Sequence, residues 1–219
     1  MKGFVKQHIS ANSFFFKALK FAYNFYYAVY DRIVEAIRKF TKSGIFFRYS
    51  ELPMCSIYPE KTLEEVIKSL KPGSVLDLGC GVGKALDFFY EHKIECAGVD
   101  GSGLAIRKAQ HPELIKKFNL NNELNLNKKF DLVWAFEFVE HIHPDYVENL
   151  IKTFSNHSDR VIISAARPGQ GGEGHFNEQN DAYWIQKFKE YGYSLNPELT
   201  SRFRSLGEKF SGNMYVFET

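Results

Sequence analysis

Val75-Leu76-Asp77-Leu78-Gly79-Cys80-Gly81-Val82-Gly83 decides how this chain folds. The apolar run ending on a carboxylate reads as a buried strand, and three glycines in five residues read as a tight turn. Lys84, Ala85 and Leu86 then open a helix. Such a turn lets the backbone approach a ligand at the mouth of the next helix. A dinucleotide fingerprint would need G-x-G-x-x-G. Counted from Gly79 or Gly81, its third glycine falls on Lys84 or Leu86, so that pattern fails. The early carboxylate Asp77 suits a ligand end carrying an ammonium group rather than a pyrophosphate.

Outward from this stretch, strands and helices alternate, which predicts a mostly parallel sheet. Thr62 to Leu70 is helical and closes at Pro72-Gly73. Strands are predicted at Ser74 to Leu78, Glu95 to Val99, weakly at Leu114 to Leu120, then at Phe130 to Phe136 and Arg160 to Ser164. Helices are predicted at Lys84 to His92, Ser102 to Gln110, Asp145 to Phe154 and Asp181 to Tyr191. Tyr193 to Leu195 and Met214 to Phe217 form a terminal strand pair. The fold class is therefore α/β, doubly wound, with seven strands.

Residues 1 to 58 differ from this catalytic-sized unit of residues 59 to 219. Phe14, Phe15, Ala18, Leu19, Ala22, Phe25, Tyr26, Val29, Ile33, Ile37 and Phe40 recur at steps of three and four, the stripe of an amphipathic helix. A break is expected near Asp31 and a stop at Ser43-Gly44. Lys2, Lys6, Lys17 and Lys20 precede any acidic residue, so the segment suits packing on the domain as a lid or dimer contact, peripheral contact with an anionic membrane, or a cleaved targeting role. No uncharged apolar run is long enough to span a bilayer, and Lys17 and Lys20 interrupt what could otherwise be a secretory signal. Cys55, Cys80 and Cys96 have no metal-like spacing, which fits free thiols in a reducing, cytoplasmic setting. A formal charge of +2 gives little support to a polyanionic partner such as nucleic acid.

The second strand ends in Gly98-Val99-Asp100, 17 residues beyond Gly83. A carboxylate there can accept both hydroxyls of a ribose lying across the strand ends, with Gly101 and Ser102 on the same rim. The fourth strand runs into Glu137-Phe138-Val139-Glu140-His141, outside the carboxyl ends of the strands, where ligands bind in open α/β sheets. On a helical turn the first and fourth residues would point the same way. Beyond the fifth strand a glycine-rich run, Gly169-Gln170-Gly171-Gly172-Glu173-Gly174, leads to His175-Phe176-Asn177-Glu178-Gln179 and has the character of a lid. Arg202, Arg204 and Lys209 lie in a basic stretch before the last strand, where an anionic acceptor group could bind.

Asp77, Gly79, Gly81 and Gly83 match in full the first motif of the class I S-adenosylmethionine (SAM)-dependent methyltransferases, and the chain resembles that family over about residues 60 to 219. The resemblance implies the Rossmann-like methyltransferase sheet with an antiparallel last strand. It also implies a SAM site formed by Asp77, Gly79, Cys80, Gly81, Gly83, Asp100, Gly101 and Glu137. Asn119-Leu120 stands where the family often has an aspartate and an apolar residue beside the adenine. The Glu137 to His141 element resembles the E-x-x-E-H of the ubiquinone-type, type 11-like subgroup and of small-RNA ribose methyltransferases. In those enzymes it can hold a divalent cation. By that resemblance Glu137, Glu140, His141 and His175 are candidate ligands for magnesium, manganese or iron. The catalytic candidates are His141, His175 and Glu137, and an unassisted histidine base stays open beside the metal. The function expected is methyl transfer from SAM to a polar acceptor, a hydroxyl of a small molecule or glycan. The runner-up acceptors are an RNA 3′ ribose and a lipid-like quinone precursor, the latter drawing on the amphipathic N-terminal segment. A catalytically silent SAM-fold partner protein is the alternative from another class, and the intact Asp77 to Gly83 motif argues against it.

Overall fold

The computed structural model describes residues 14–41 and 58–219. Helix α1 (Phe14–Thr41) is continuous through Asp31, where a break was expected. The run contains neither glycine nor proline, so nothing in it breaks a helix. Ser43-Gly44, Lys2, Lys6 and Cys55 lie outside the described residues. No helix among the described residues is long and apolar enough to cross a membrane.

The remaining described elements are α2 (Glu60–Leu70), β1 (Ser74–Leu78), α3 (Lys84–Glu91), β2 (Glu95–Asp100), α4 (Gly103–Ile106), β3 (Ile115–Lys117), β4 (Leu132–Ala135), α5 (Val147–His157), β5 (Arg160–Ser164), α6 (Asp181–Lys189), β6 (Ser194–Leu195), α7 (Pro197–Arg204) and β7 (Met214–Glu218). The strands form one seven-stranded sheet in the order β3-β2-β1-β4-β5-β7-β6. The first five strands are parallel to their neighbours, while β7 runs antiparallel to both β5 and β6. Because β4 returns to the other side of β1, the order reverses between them. The crevice at that reversal opens at the carboxyl ends of the strands, the place where such sheets bind ligands.

Strand alternation divides the core. Val75, Leu132, Trp134, Ile162, Met214 and Val216 face α2, α3 and α7 through Leu63, Val66, Phe88, Phe89 and Phe203. Leu76, Leu78, Val133, Ala135, Val161, Ile163, Tyr215 and Phe217 face α5 and α6 through Leu150, Ile151, Phe154, Trp184 and Phe188. Both faces are covered, so the central strands read as near-continuous apolar runs instead of alternating ones. Remote contacts finish the frame. The Glu208 carboxylate accepts from the backbone N–H groups of Lys61 and Thr62 at 2.9 and 2.7 Å, capping α2, whose own N-cap Pro59 offers no side-chain bond.

Two helices depart from expectation. α4 is a single turn, ending at Ile106, where a helix to Gln110 was predicted. α7, for which no helix was predicted, carries Arg202 and Arg204 of the basic stretch. Its signal is Asn196 as N-cap, accepting from Leu199 N–H at 3.0 Å, with Pro197 in the first turn.

Candidate functional site

The turn after β1 is built from backbone that side chains rarely tolerate: Gly79, Gly81 and Gly83 have φ of 74°, 56° and 77°. A Cβ at Gly79 would also collide with the Phe138 ring, so this glycine lets the fourth strand's loop close on the turn. The amides of Gly79 and Cys80 donate to the Val99 carbonyl at 2.8 and 3.3 Å, pinning the turn to β2. Asp100 reinforces the link, its two oxygens accepting from Gly81 N–H at 2.8 Å and Ser102 N–H at 2.7 Å. Ser102 caps α4 in turn, accepting from Ala105 N–H at 3.2 Å, and Gly101 lies between the two.

Asp77 and Asp100 are 3% and 4% exposed. Burial, and after it the Asp100 charge, raise the Asp77 carboxyl well above its ordinary range. Burial raises Asp100 to about 6 against the opposing pull of the Ser102 and Gly81 amides. No lysine or arginine pairs with either among the described residues. Two buried carboxyl groups beside a glycine turn are costly to ionise unpaired, and a ligand bringing positive charge and hydroxyl donors would favour their ionised form. Cys80 contributes backbone to this turn. Its side chain packs with Leu86 and Ile115, and burial, followed by the Asp77 and Asp100 charges, pushes the thiol well up.

Beyond β3, Asn119 closes a local turn, its Oδ1 accepting from Asn121 N–H at 3.0 Å, and Leu120 is in the core. Asn121 was not singled out in the sequence. It is buried, and its Oδ1 meets no donor.

The loop after β4 separates the two glutamates. Glu137 has φ of 48°, a left-handed conformation costly for a residue with a side chain. The chain then enters a 3-10 turn, Val139–His141. The helical turn that would point Glu137 and Glu140 together does not form. Glu137 instead turns to the ends of β5 and β7. Its N–H donates to Ser164 Oγ at 2.6 Å, Ser164 Oγ donates back to its carboxylate at 2.8 Å, and Asn213 Nδ2 approaches the same oxygen at 3.5 Å. Ser164 and Asn213 escaped the sequence reading, although their places at the carboxyl edge of the sheet were the available signal. Burial is the main cause of the raised pKa of Glu137.

Glu140 is fully buried with neither carboxylate oxygen hydrogen-bonded. Burial, then the Glu137 charge, raise it well above the usual carboxylate range; the amides of Glu140 itself and of Ala166 lie near enough to moderate the shift but are too poorly aligned to form full hydrogen bonds. One ligand atom each from Glu140, His141 and His175 lies within 4.8 Å of the others, and the two imidazoles meet edge to face at 4.9 Å. His141 Nδ1 faces the Gly174 carbonyl at 3.1 Å, and His175 Nδ1 faces Glu178 Oε1 at 2.9 Å. Both partners only accept, so each Nδ1 carries a proton, and in the neutral imidazole Nε2 keeps the lone pair. Asn177 is buried alongside, its backbone N–H on the Glu140 carbonyl at 3.0 Å and its Nδ2 unpartnered. Of the four predicted ligands, three converge and Glu137 is directed elsewhere.

The basic residues before β7 are spent on the fold. Arg202 pairs with Glu65 at 2.7 Å, Arg204 with Asp181 at 3.0 Å while lying over Tyr215, and Lys209 lies over Phe210. Trp184 is core, and Tyr183 packs against it.

Residues 46–206 match the family described as Methyltransferase domain. Norajmaline N-methyltransferase of Rauvolfia serpentina is 33% identical over 110 residues, 45% of this chain, and the aligned stretch spans only 38% of that relative's length. The methyltransferase domain of bacterial CtHen1 superposes with a TM-score of 0.55 at 22% identity, covering 73% of this chain and 96% of that one. The glycopeptide N-methyltransferase MtfA, solved with S-adenosyl-L-methionine, gives 0.55 at 13% identity over 72% of this chain and 91% of its own. At these identities the two structures speak for the fold. The family match extends from before β1 to beyond α7 and so takes in the turn, Asp100 and the Glu140 cluster together: the chain belongs to the class I SAM-dependent methyltransferases.

Proposed function

We propose that this enzyme methylates a hydroxyl of a polar small molecule or glycan, with a divalent cation assisting. The observation that carries the reading is Glu140: a fully buried carboxylate with two unpartnered oxygens, grouped with His141 and His175. A buried carboxylate in that condition costs several kcal/mol unless a proton or cation joins it. One carboxylate and two imidazoles suit magnesium, manganese or iron.

When bound, SAM supplies an electrophilic methyl on a sulfonium. A cation at Glu140, His141 and His175 would supply Lewis acidity toward an acceptor oxygen. The chain's own part is to position and to take a proton. Asp77 and Asp100 set negative charge and acceptors along the glycine turn, and Phe138 closes the pocket wall over Gly79. Where a cation takes both Nε2 lone pairs, the histidines hold it and do not serve as bases; without a cation, Nε2 of His141 or His175 is the atom that would accept the acceptor's proton, because each Nδ1 is already donating. Asn177 and Gln179, joined at 3.1 Å, present amide groups to a polar acceptor.

An amine acceptor is the second reading, supported by the N-methyltransferases among the similar proteins. A neutral amine is nucleophilic without a Lewis acid, so the two readings part on metal dependence. Extracts incubated with methyl-labelled SAM reveal the acceptor fraction; EDTA is expected to abolish labelling while S-adenosylhomocysteine binding persists. Undiminished labelling in EDTA rejects the cation and favours the amine. Helix α1 supports a further reading, peripheral membrane contact, through its exposed Phe21, Phe25, Tyr26 and Ile33 and its basic Lys17 and Lys20.

A further inference from the structure

Glu178 is a half-hidden residue that neither the glycine turn nor the Glu140 cluster contains. Its side chain is 18% exposed and that of His175 13%. One oxygen accepts from His175 Nδ1 at 2.9 Å and the other from Gly169 N–H at 2.9 Å. The glycine-rich run meets the imidazoles at two more places. A Cβ on Gly172 would collide with the His175 ring, and Gly174 supplies the carbonyl facing His141 Nδ1 at 3.1 Å. On the far side, Phe176 and Asn177 N–H donate to the Glu140 carbonyl at 2.9 and 3.0 Å. Residues 169–178 therefore form one wrap around Glu140 and the two histidines, and Glu178 is the side chain that joins its beginning to its end.

We propose that Glu178 is the positioning residue of the cation site, fixing the tautomer and plane of His175 and tying the loop Gly169–Gly174 to the state of that site. The proposal rests on the cation reading above. A carboxylate accepts at both oxygens, so it can hold His175 Nδ1–H and Gly169 N–H at once. That keeps a lone pair on Nε2 for the cation, and such outer hydrogen bonds raise the basicity of a ligating histidine. The same two bonds mean that a cation drawing His175 into place also holds the first glycine of the loop. Loop order and cation occupancy then rise together.

Glu178→Gln separates the two duties with almost no change of shape. An amide has one acceptor oxygen and cannot serve both donors; turned to His175, its NH2 donates to Nδ1 and favours the tautomer with hydrogen on Nε2. Calorimetric titration of the full chain with manganese is expected to show 10–100-fold weaker binding in Glu178→Gln, roughly the loss seen when such partners are removed. Nitrogen NMR of the histidines should show the tautomer change without metal. In hydrogen exchange, manganese should slow the amides of 169–174 in the wild type and leave them fast in the variant. Gly172→Ala supplies a second route: its φ is not left-handed, so the added methyl acts by displacing the imidazole, and it too should weaken manganese binding. It also serves if Glu178→Gln does not fold. Equal manganese affinity in wild type and variant overturns this inference and leaves the cation reading standing. Failure of the wild type to bind manganese removes both.

Discussion

Asp100 shows how much one residue's surroundings decide. Its burial raises the carboxyl from 3.8 to about 6. An acid whose folded pKa is raised binds its proton more tightly in the fold. Stability is therefore lost as pH climbs from about 4 to 6, by about 3 kcal/mol in total. A ribose donating two hydroxyls needs the ionised form, so ligand binding should expel that proton. Calorimetry with S-adenosylhomocysteine is expected to show proton release at pH 5.5 and about tenfold weaker binding at pH 5 than at 7.5. Asp100→Asn should remove most of that dependence; a flat profile in the wild type would take Asp100 out of the site. Asp77, Asp100 and the glycines were legible in sequence because each acts within a few residues of a strand end. The parting of Glu137 from Glu140 was not, because it depends on Ser164 and Asn213, brought near only by the sheet.

Helices show where periodicity suffices and where it does not. α6 was legible from its aromatic pattern, and its inner face is stacked: the Phe188 ring lies 3.8 Å from Phe217 at 5° and 5.5 Å from Phe154. Phe188→Ala should cost about 3–5 kcal/mol, through lost burial and the cavity left in a packed core. Urea unfolding measures it, and a loss below 1 kcal/mol would mean that this stack does not hold α6 to the sheet. α7 went unseen because eight residues are too few for periodicity to show, and its cap and first-turn proline decide it. The basic side chains of α7 were expected to face an acceptor. Arg202 instead pairs with Glu65 at the surface, and Arg204, half-buried, pairs with Asp181.

At the scale of the whole molecule, the sheet gathers its polar chemistry at one edge and leaves a separate apolar surface on α1. Phe21 and Phe25 are 73% and 62% exposed on a helix whose first half carries Lys17 and Lys20 and no acid. An interfacial helix of this composition gains from apolar burial and from anionic headgroups. The full chain should sediment with vesicles containing phosphatidylserine, less so as salt rises, and Phe21→Glu with Phe25→Glu should release it. Equal partition of wild type and double variant onto these vesicles would end the membrane reading.

The strand-turn-helix of residues 74–91, the order of the strands along the chain and the family followed from sequence alone, because each rests on contacts between near neighbours and on a backbone that only glycine takes easily. Tertiary structure alone decided which side chains meet. Glu140, His141 and His175 converge because β4 and β5 pair in parallel and their loops leave the same edge. Their grouping spans more than thirty residues of chain, a distance over which spacing carries no geometric information until the sheet fixes the register.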